Sequence, residues 1–178
     1  SAVALAQNRD FRRSLCDAVE RGLPVYAECG GLLYLGHSLT VKRQSYPMTG
    51  ILPVSFSIEA RPQGHGYVEL EVDRNNPFFP VGTRLTGHEF HYARLTAGGV
   101  PHDRTVYRVL RGTGLDGRRD GFCQGNLLAG FSHLHASGVP VWAEAIVAAG
   151  RRYGARKGRP WACQIAGGSA VSQGLNFR

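Results

Sequence analysis

Residues 24–35 constrain this chain more than any other stretch. Val25-Tyr26-Ala27 is a short apolar run that reads as a buried strand, and Leu32-Leu33-Tyr34-Leu35 reads as a helix that stops at Gly36. Only Glu28-Cys29-Gly30-Gly31 lies between them. Strand, tight glycine turn and helix is the local grammar of an open α/β sheet. A side chain at that junction is pushed from the sheet edge into a cleft, and small neighbours are required because the backbone is tight. Cys29 occupies this position.

Most cysteines in folded proteins are buried and inert. The glycine pair and the strand-to-helix junction instead favour a nucleophile at Cys29. A helix beginning at Gly30 or Gly31 turns its partial positive end toward the sulfur, which predicts a thiolate. The Gly30 N–H is positioned to face a developing oxyanion. A cysteine nucleophile needs a base, and the chain has seven histidines. His133 and His135 follow the apolar run 127–131, and period two puts them on one side of a strand, within reach of Cys29 across the sheet edge. His88 and His91 flank Glu89. Two other uses of these histidines stand beside catalysis: a hydrogen-bonded loop histidine, or a metal site built from His133 and His135 with His88 or His91. No HExxH helix or carboxylate cluster accompanies them, so no metal is expected.

The rest of the chain supplies the frame. Asn8 is a plausible N-cap for a helix whose stripe is Phe11, Leu15 and Val19, stopped by Gly22 and Pro24. Val54, Phe56 and Ile58 alternate with polar or small residues, as do Val68, Leu70 and Val72. Residues 85–95 and 105–110 also read as strands, with turns at Asn75-Asn76-Pro77 and Asp116-Gly117. This pattern predicts antiparallel strands added beside a parallel core. Trp142, Ala145, Ile146 and Ala149 return to helical spacing. There is no internal repeat.

The chain has 178 residues, enough for one domain with its own core. A hydrophobic share of 43% with 19% charged residues excludes disorder. No run approaches the ~18 apolar residues of a membrane span. The four cysteines show no CxxC spacing, which argues against a zinc knuckle or disulfide framework and for a reducing cytoplasm. The net charge of +8 is concentrated in residues 151–178, which carry six basic and no acidic side chains. The body therefore lacks the basic stripe of a nucleic-acid-binding domain. Residues 1–150 read as the domain. From Tyr153 onward the periodicity weakens, and 151–178 reads as a basic, glycine-containing tail. Residue 1 is Ser, which fits a piece of something longer.

Three segments together carry a resemblance: residues 24–35; Gly87-His88-Glu89-Phe90-His91-Tyr92; and Phe131-Ser132-His133-Leu134-His135-Ala136. In this order they resemble the glutamine amidotransferase domain of the cobyrinic and hydrogenobyrinic acid a,c-diamide synthases, whose relatives act on sirohydrochlorin or siroheme-type macrocycles. The resemblance covers roughly residues 1–150. It implies a flavodoxin-like class I glutamine amidotransferase fold with a mixed sheet and added antiparallel strands. It also implies that Cys29 attacks the carboxamide of glutamine to form a glutamyl thioester and release ammonia. His133 matches the family's catalytic histidine. Glu89 and His91 fall in the second signature and are expected to line or brace the glutaminase pocket, with Gly30 and Gly31 beside the nucleophile. Two residues after His133 stands His135 rather than a carboxylate, so a Cys–His dyad is expected.

There are departures. Phe131-Ser132 replaces the tyrosine-plus-aliphatic or threonine pattern of the family. In the family, ammonia is used by an ATP-dependent domain with Mg²⁺ that also binds the tetrapyrrole. This chain has no GxxxxGK[ST] loop, so no cofactor is expected within it. The family's Gly-Gly-x-x-Glu segment, which supplies part of the oxyanion hole, is expected upstream of Ser1, and the chain alone is therefore expected to be a weak or dead glutaminase. Two competing readings remain: a stand-alone cysteine hydrolase on the same fold, and an inactive interaction module.

Overall fold

A computed structural model of the chain describes residues 1–96 and 102–156. Cys163 and the other tail residues from 157 onward lie outside the described residues. The chain opens with two helices, α1 (Ala2–Gln7) and α2 (Arg9–Glu20). The Asn8 side chain accepts the Phe11 N–H at 3.1 Å, which makes it the N-cap expected from the sequence. Gly22, at φ 86°, ends the turn after α2. There follow β1 (Val25–Glu28), α3 (Gly30–Leu35), β2 (Ser38–Val41), β3 (Gln44–Pro47), β4 (Ser55–Ile58), β5 (Gly64–Val72), β6 (Arg84–His91) and β7 (Ala93–Leu95). Beyond a 3₁₀ turn come β8 (Thr105–Arg111), β9 (Arg119–Gln124), β10 (Leu127–Gly130), β11 (His133–Leu134) and α4 (Val141–Arg156).

The strands form a seven-stranded sheet in the order β1-β10-β9-β8-β5-β6-β11 and a four-stranded sheet in the order β3-β2-β4-β7. Among the described residues, parallel pairing is confined to β1 with β10 and β2 with β4. All other pairs are antiparallel, as the alternating middle of the sequence requires. The chain is thus a mixed α/β protein with mixed sheets.

Both faces of the large sheet are covered. Leu127 and Ala129 of β10 pack with Leu32 and Leu35 of α3, Phe56 of β4 and Phe131 in one cluster. Leu128, from the same strand, points the other way into a second cluster with Val68, Leu70, Val72 and Leu85. Trp142, Ala145, Ile146 and Ala149 of α4 close that second face. A strand buried on both faces reads as an unbroken apolar run, which is why residues 127–131 were legible.

The sequence did not announce the β2–β3 hairpin or strand β9. The β2–β3 hairpin turns at Lys42 and Arg43, whose φ values of 48° and 67° would ordinarily call for Asn-Gly. Strand β9 contains Arg119 and Asp120, charges that disguise a buried strand. The Arg119 guanidinium reaches Asp73 Oδ1 at 2.8 Å, while Asp120 is wholly enclosed and accepts backbone amides. Charges enter a strand interior only when partnered in this way.

Candidate active site

Cys29 follows the last residue of β1 and caps α3, with φ 46° and ψ −101°. Its N–H donates to the Gly130 carbonyl at 2.8 Å, tying the turn to the carboxyl end of the neighbouring parallel strand. A non-glycine residue at such dihedrals costs about 1–3 kcal/mol and persists only where its surroundings hold it. Gly31 packs tightly: a Cβ there would stand 3.0 Å from the Ala27 Cβ, so α3 and β1 would have to separate by a few tenths of an ångström. Gly30 has open space around it, and what it offers Cys29 is its backbone N–H.

The sulfur does not behave as the helix argument predicts. Burial pushes the Cys29 thiol above its ordinary value; the Gly30 N–H pulls it down, and the Glu28 and Asp120 carboxylates push it further up. A six-residue helix is too short for its dipole to win against desolvation and two nearby anions. The thiol therefore depends on a base.

His133 lies where β10 continues past Gly130 into β11. Because β1 and β10 are parallel and Glu28 is in register with Gly130, Cys29 and His133 come to the same end of the sheet. His133 pairs with His88 of β6, and the two imidazoles stack with centroids 4.9 Å apart. Gly87 makes this crossing possible, since a Cβ there would collide with the His133 carbonyl oxygen. Strand β11 ends at Leu134, so His135 is not the strand neighbour the sequence suggested. Its Nδ1 instead accepts the Ser137 N–H at 3.2 Å, in an exposed turn.

Glu89 and His91 lie on the opposite face of β6 from His88. Glu89 is buried and accepts the N–H groups of Thr113 and Gly114 at 2.6 and 2.9 Å. Burial pushes its carboxyl up, but His91 and these two amides outweigh that and hold it below the usual range. The buried ring of His91 stacks on Phe131 at 3.8 Å, and its Nδ1 is 2.8 Å from the Ala93 carbonyl oxygen. His91 thus braces Phe131 on the segment that leads to His133, and Glu89 stands 3.6 Å from His91. This arrangement sends His88 and His91 to opposite faces of β6, and no group of three or more His, Cys, Asp or Glu side chains among the described residues is arranged to hold a metal ion.

Three neighbours carry more of the geometry than the sequence suggested. Glu28 reaches across to β11: its Oε1 accepts the Leu134 N–H at 2.9 Å and the Tyr26 hydroxyl at 3.0 Å, and its Oε2 is 3.5 Å from His133 Nδ1. A carboxylate thus stands 3.5 Å from the histidine although position 135 supplies none. It comes from the residue beside the nucleophile. Its signal was present, because Tyr26 and Glu28 alternate onto one face of β1. Asp120 accepts the Phe131 and Ser132 N–H groups at 3.1 and 3.0 Å and the Ser132 hydroxyl at 2.7 Å. Ser132, a departure in the motif, is therefore a latch on the segment leading to His133. No sequence spacing signals that contact.

No helix among the described residues is long and apolar enough to cross a membrane. A chain in the structure of PurLQS from Thermotoga maritima shares the fold with a TM-score of 0.56 at 18% identity, over 85% of this chain and 71% of that one. Together with the mixed sheets, this is the class I glutamine amidotransferase fold. The cobyrinate a,c-diamide synthase of Magnetococcus marinus is 37% identical over 139 residues, 78% of this chain and 30% of its own length. The enzyme of the same name from Archaeoglobus fulgidus is 39% identical over 134 residues, 75% of this chain and 29% of its own length. The chain thus spans about 30% of the length of the curated relatives it matches. The CobB/CobQ-like glutamine amidotransferase domain matches residues 1–140, and the chain belongs to that family.

Proposed function

We propose that this chain is the ammonia-supplying glutaminase part of an ATP-dependent synthase, one that amidates the a and c acetate side chains of a cobalamin-pathway or siroheme-type tetrapyrrole. The observation that carries the reading is Cys29, held at φ 46° on the turn between β1 and α3, at the same sheet end as His133. A nucleophile and a base brought to one end of the sheet are what acyl transfer requires.

In this reading His133 Nε2 takes the Cys29 proton as the sulfur attacks the side-chain carbonyl carbon of glutamine. The carbonyl oxygen becomes an oxyanion and accepts the Gly30 N–H. Collapse breaks the C–N bond, and His133 returns its proton to the departing nitrogen, which leaves as ammonia. Water, deprotonated by His133, then hydrolyses the γ-glutamyl thioester to glutamate and restores the thiol. A base is essential because Cys29 is a weaker acid than an ordinary thiol. ATP and Mg²⁺ would act in the synthetase part, activating a macrocycle carboxylate, and no step above passes through them. The greater length of the curated relatives supports a partner region of that kind.

The test is affinity labelling with a glutamine-mimicking diazo-ketone, read by intact mass and peptide mapping, with Cys29→Ser as control. One adduct, on Cys29 and suppressed by excess glutamine, is the expected result. An adduct indifferent to glutamine would favour a hydrolase of another substrate, and a folded chain that takes no label even when extended upstream would favour an interaction module.

A further inference from the structure

We propose that Glu28 is the positioning residue for His133, so that the nucleophile and the group orienting its base are consecutive residues on one strand end. The proposal rests on the glutaminase reading and names the residue that makes His133 competent in it. The carboxylate is fixed before it meets the imidazole, because its Oε1 is committed to the Leu134 N–H and the Tyr26 hydroxyl. Tyr26 is itself immobilised among Phe78, Phe79 and Trp142, with ring centroids 5.5 to 6.1 Å away. That leaves Oε2 for His133 Nδ1, at 3.5 Å. This is longer than a formed hydrogen bond of about 2.7–3.0 Å and tightens when the site is engaged.

The consequence is a choice of tautomer. A carboxylate only accepts, so it holds the imidazole proton on Nδ1 and leaves the Nε2 lone pair free for the Cys29 proton. After proton transfer the same carboxylate faces an imidazolium and stabilises it. Leu134 being both the Glu28 anchor and the neighbour of His133 makes the arrangement a closed loop: β1 fixes Glu28, Glu28 fixes β11, and β11 presents His133. The groups placed against this imidazole are Glu28 from β1 and His88 from β6, with Asp120 of β9 behind Ser132.

Glu28→Gln is the informative variant. Its amide oxygen still accepts from Leu134 and Tyr26, so the strand contacts survive, but its NH₂ now faces Nδ1 and donates. The imidazole must then carry its proton on Nε2, where it cannot act as base. Two measurements on the full chain decide the matter. In ¹⁵N-detected imidazole spectra, His133 is expected to switch from the Nδ1–H to the Nε2–H tautomer, with the backbone amide spectrum otherwise preserved. Glutamine hydrolysis and diazo-ketone labelling are expected to fall about 10²-fold at neutral pH and to recover partly at high pH, where Cys29 ionises unaided. Glu28→Asp, which keeps the acceptor at a longer reach, is expected to fall between the two. An unchanged tautomer overturns the proposal, and so does a changed tautomer with a wild-type rate. Wild-type chain that shows no glutamine chemistry even when extended upstream would sink the glutaminase reading, while the spectra would still decide whether Glu28 sets the tautomer.

Discussion

Cys29 combines two unfavourable circumstances, a left-handed backbone and a half-buried thiol beside carboxylates. Neither helps the fold, and together they describe a side chain held ready rather than one that packs. The sign of its ionisation follows from the causes in order. Burial disfavours the thiolate, the Gly30 N–H favours it, and Glu28 and Asp120 disfavour it again. At neutral pH the thiolate fraction is therefore below the few per cent of a free cysteine. Iodoacetamide alkylation of Cys29, followed by peptide mapping without glutamine, is expected to be slower than that of a small thiol at pH 7. It should still be rising at pH 9. A rate that reaches its plateau below pH 8 would show that Cys29 is held as a thiolate, as the sequence argument had it.

At the scale of elements, the site depends on β11 crossing β6 at one place. The sequence singled out Gly30 and Gly31, and only the second is packed tightly. A Cβ at Gly30 meets nothing within 4 Å, whereas one at Gly87 strikes the His133 carbonyl. Gly30→Ala retains the N–H and improves helix propensity, so its stability is expected to change by less than about 1 kcal/mol, with labelling kept. Gly87→Ala must push β11 away, and is expected to cost about 1–3 kcal/mol in urea unfolding and to reduce Cys29 labelling more than tenfold. Equal behaviour of the two variants would contradict this account. The contrast also shows what was legible. Cys29, Gly30 and Gly31 are consecutive, and their strand-turn-helix context is local, so one sequence suffices to read them. Gly87, Ser132 and Asp120 matter through contacts between strands distant in sequence. Glu28 stood in plain view, but its partner lies more than a hundred residues away. The fold divides in the same way. Helix caps and alternating strands were readable, while the Lys42-Arg43 hairpin and the charged strand β9 are held by tertiary partners that no local pattern announces.

For the molecule as a whole, the buried and half-buried carboxylates fix the direction of its response to acid. Glu89 is held below the usual range because His91 and the Gly114 and Thr113 amides outweigh its burial. Asp73 is held down by Arg119 against its burial, and Asp116 by His102 and the Arg118 and Arg119 amides against its own. In each case the unfolded chain takes up the proton first as pH falls. Their stabilisation is therefore present above the ordinary carboxylate pKa of about 4 and is lost on going below it. Asp120 has the opposite sign, since burial raises it despite its hydrogen bonds, and the folded chain binds its proton first. Its contribution grows as pH falls from its raised folded value toward its ordinary one, and opposes the other three. Three against one, with the protein already carrying +8 and gaining positive charge, leaves acid destabilising. The urea midpoint is expected to hold between pH 7 and 5 and to fall between pH 4.5 and 3.5, read by far-UV circular dichroism at constant ionic strength. Glu89→Gln should be less stable at pH 7, because its single amide oxygen can replace only one of the two acceptors and its NH₂ then faces the other N–H, and it should lose less on acidification. The two midpoints are thus expected to approach each other as pH falls below the ordinary carboxylate range. Parallel curves would show that Glu89 stays ionised in neither state differently, and that its bridge from β6 to residues 113 and 114 is not what acid releases.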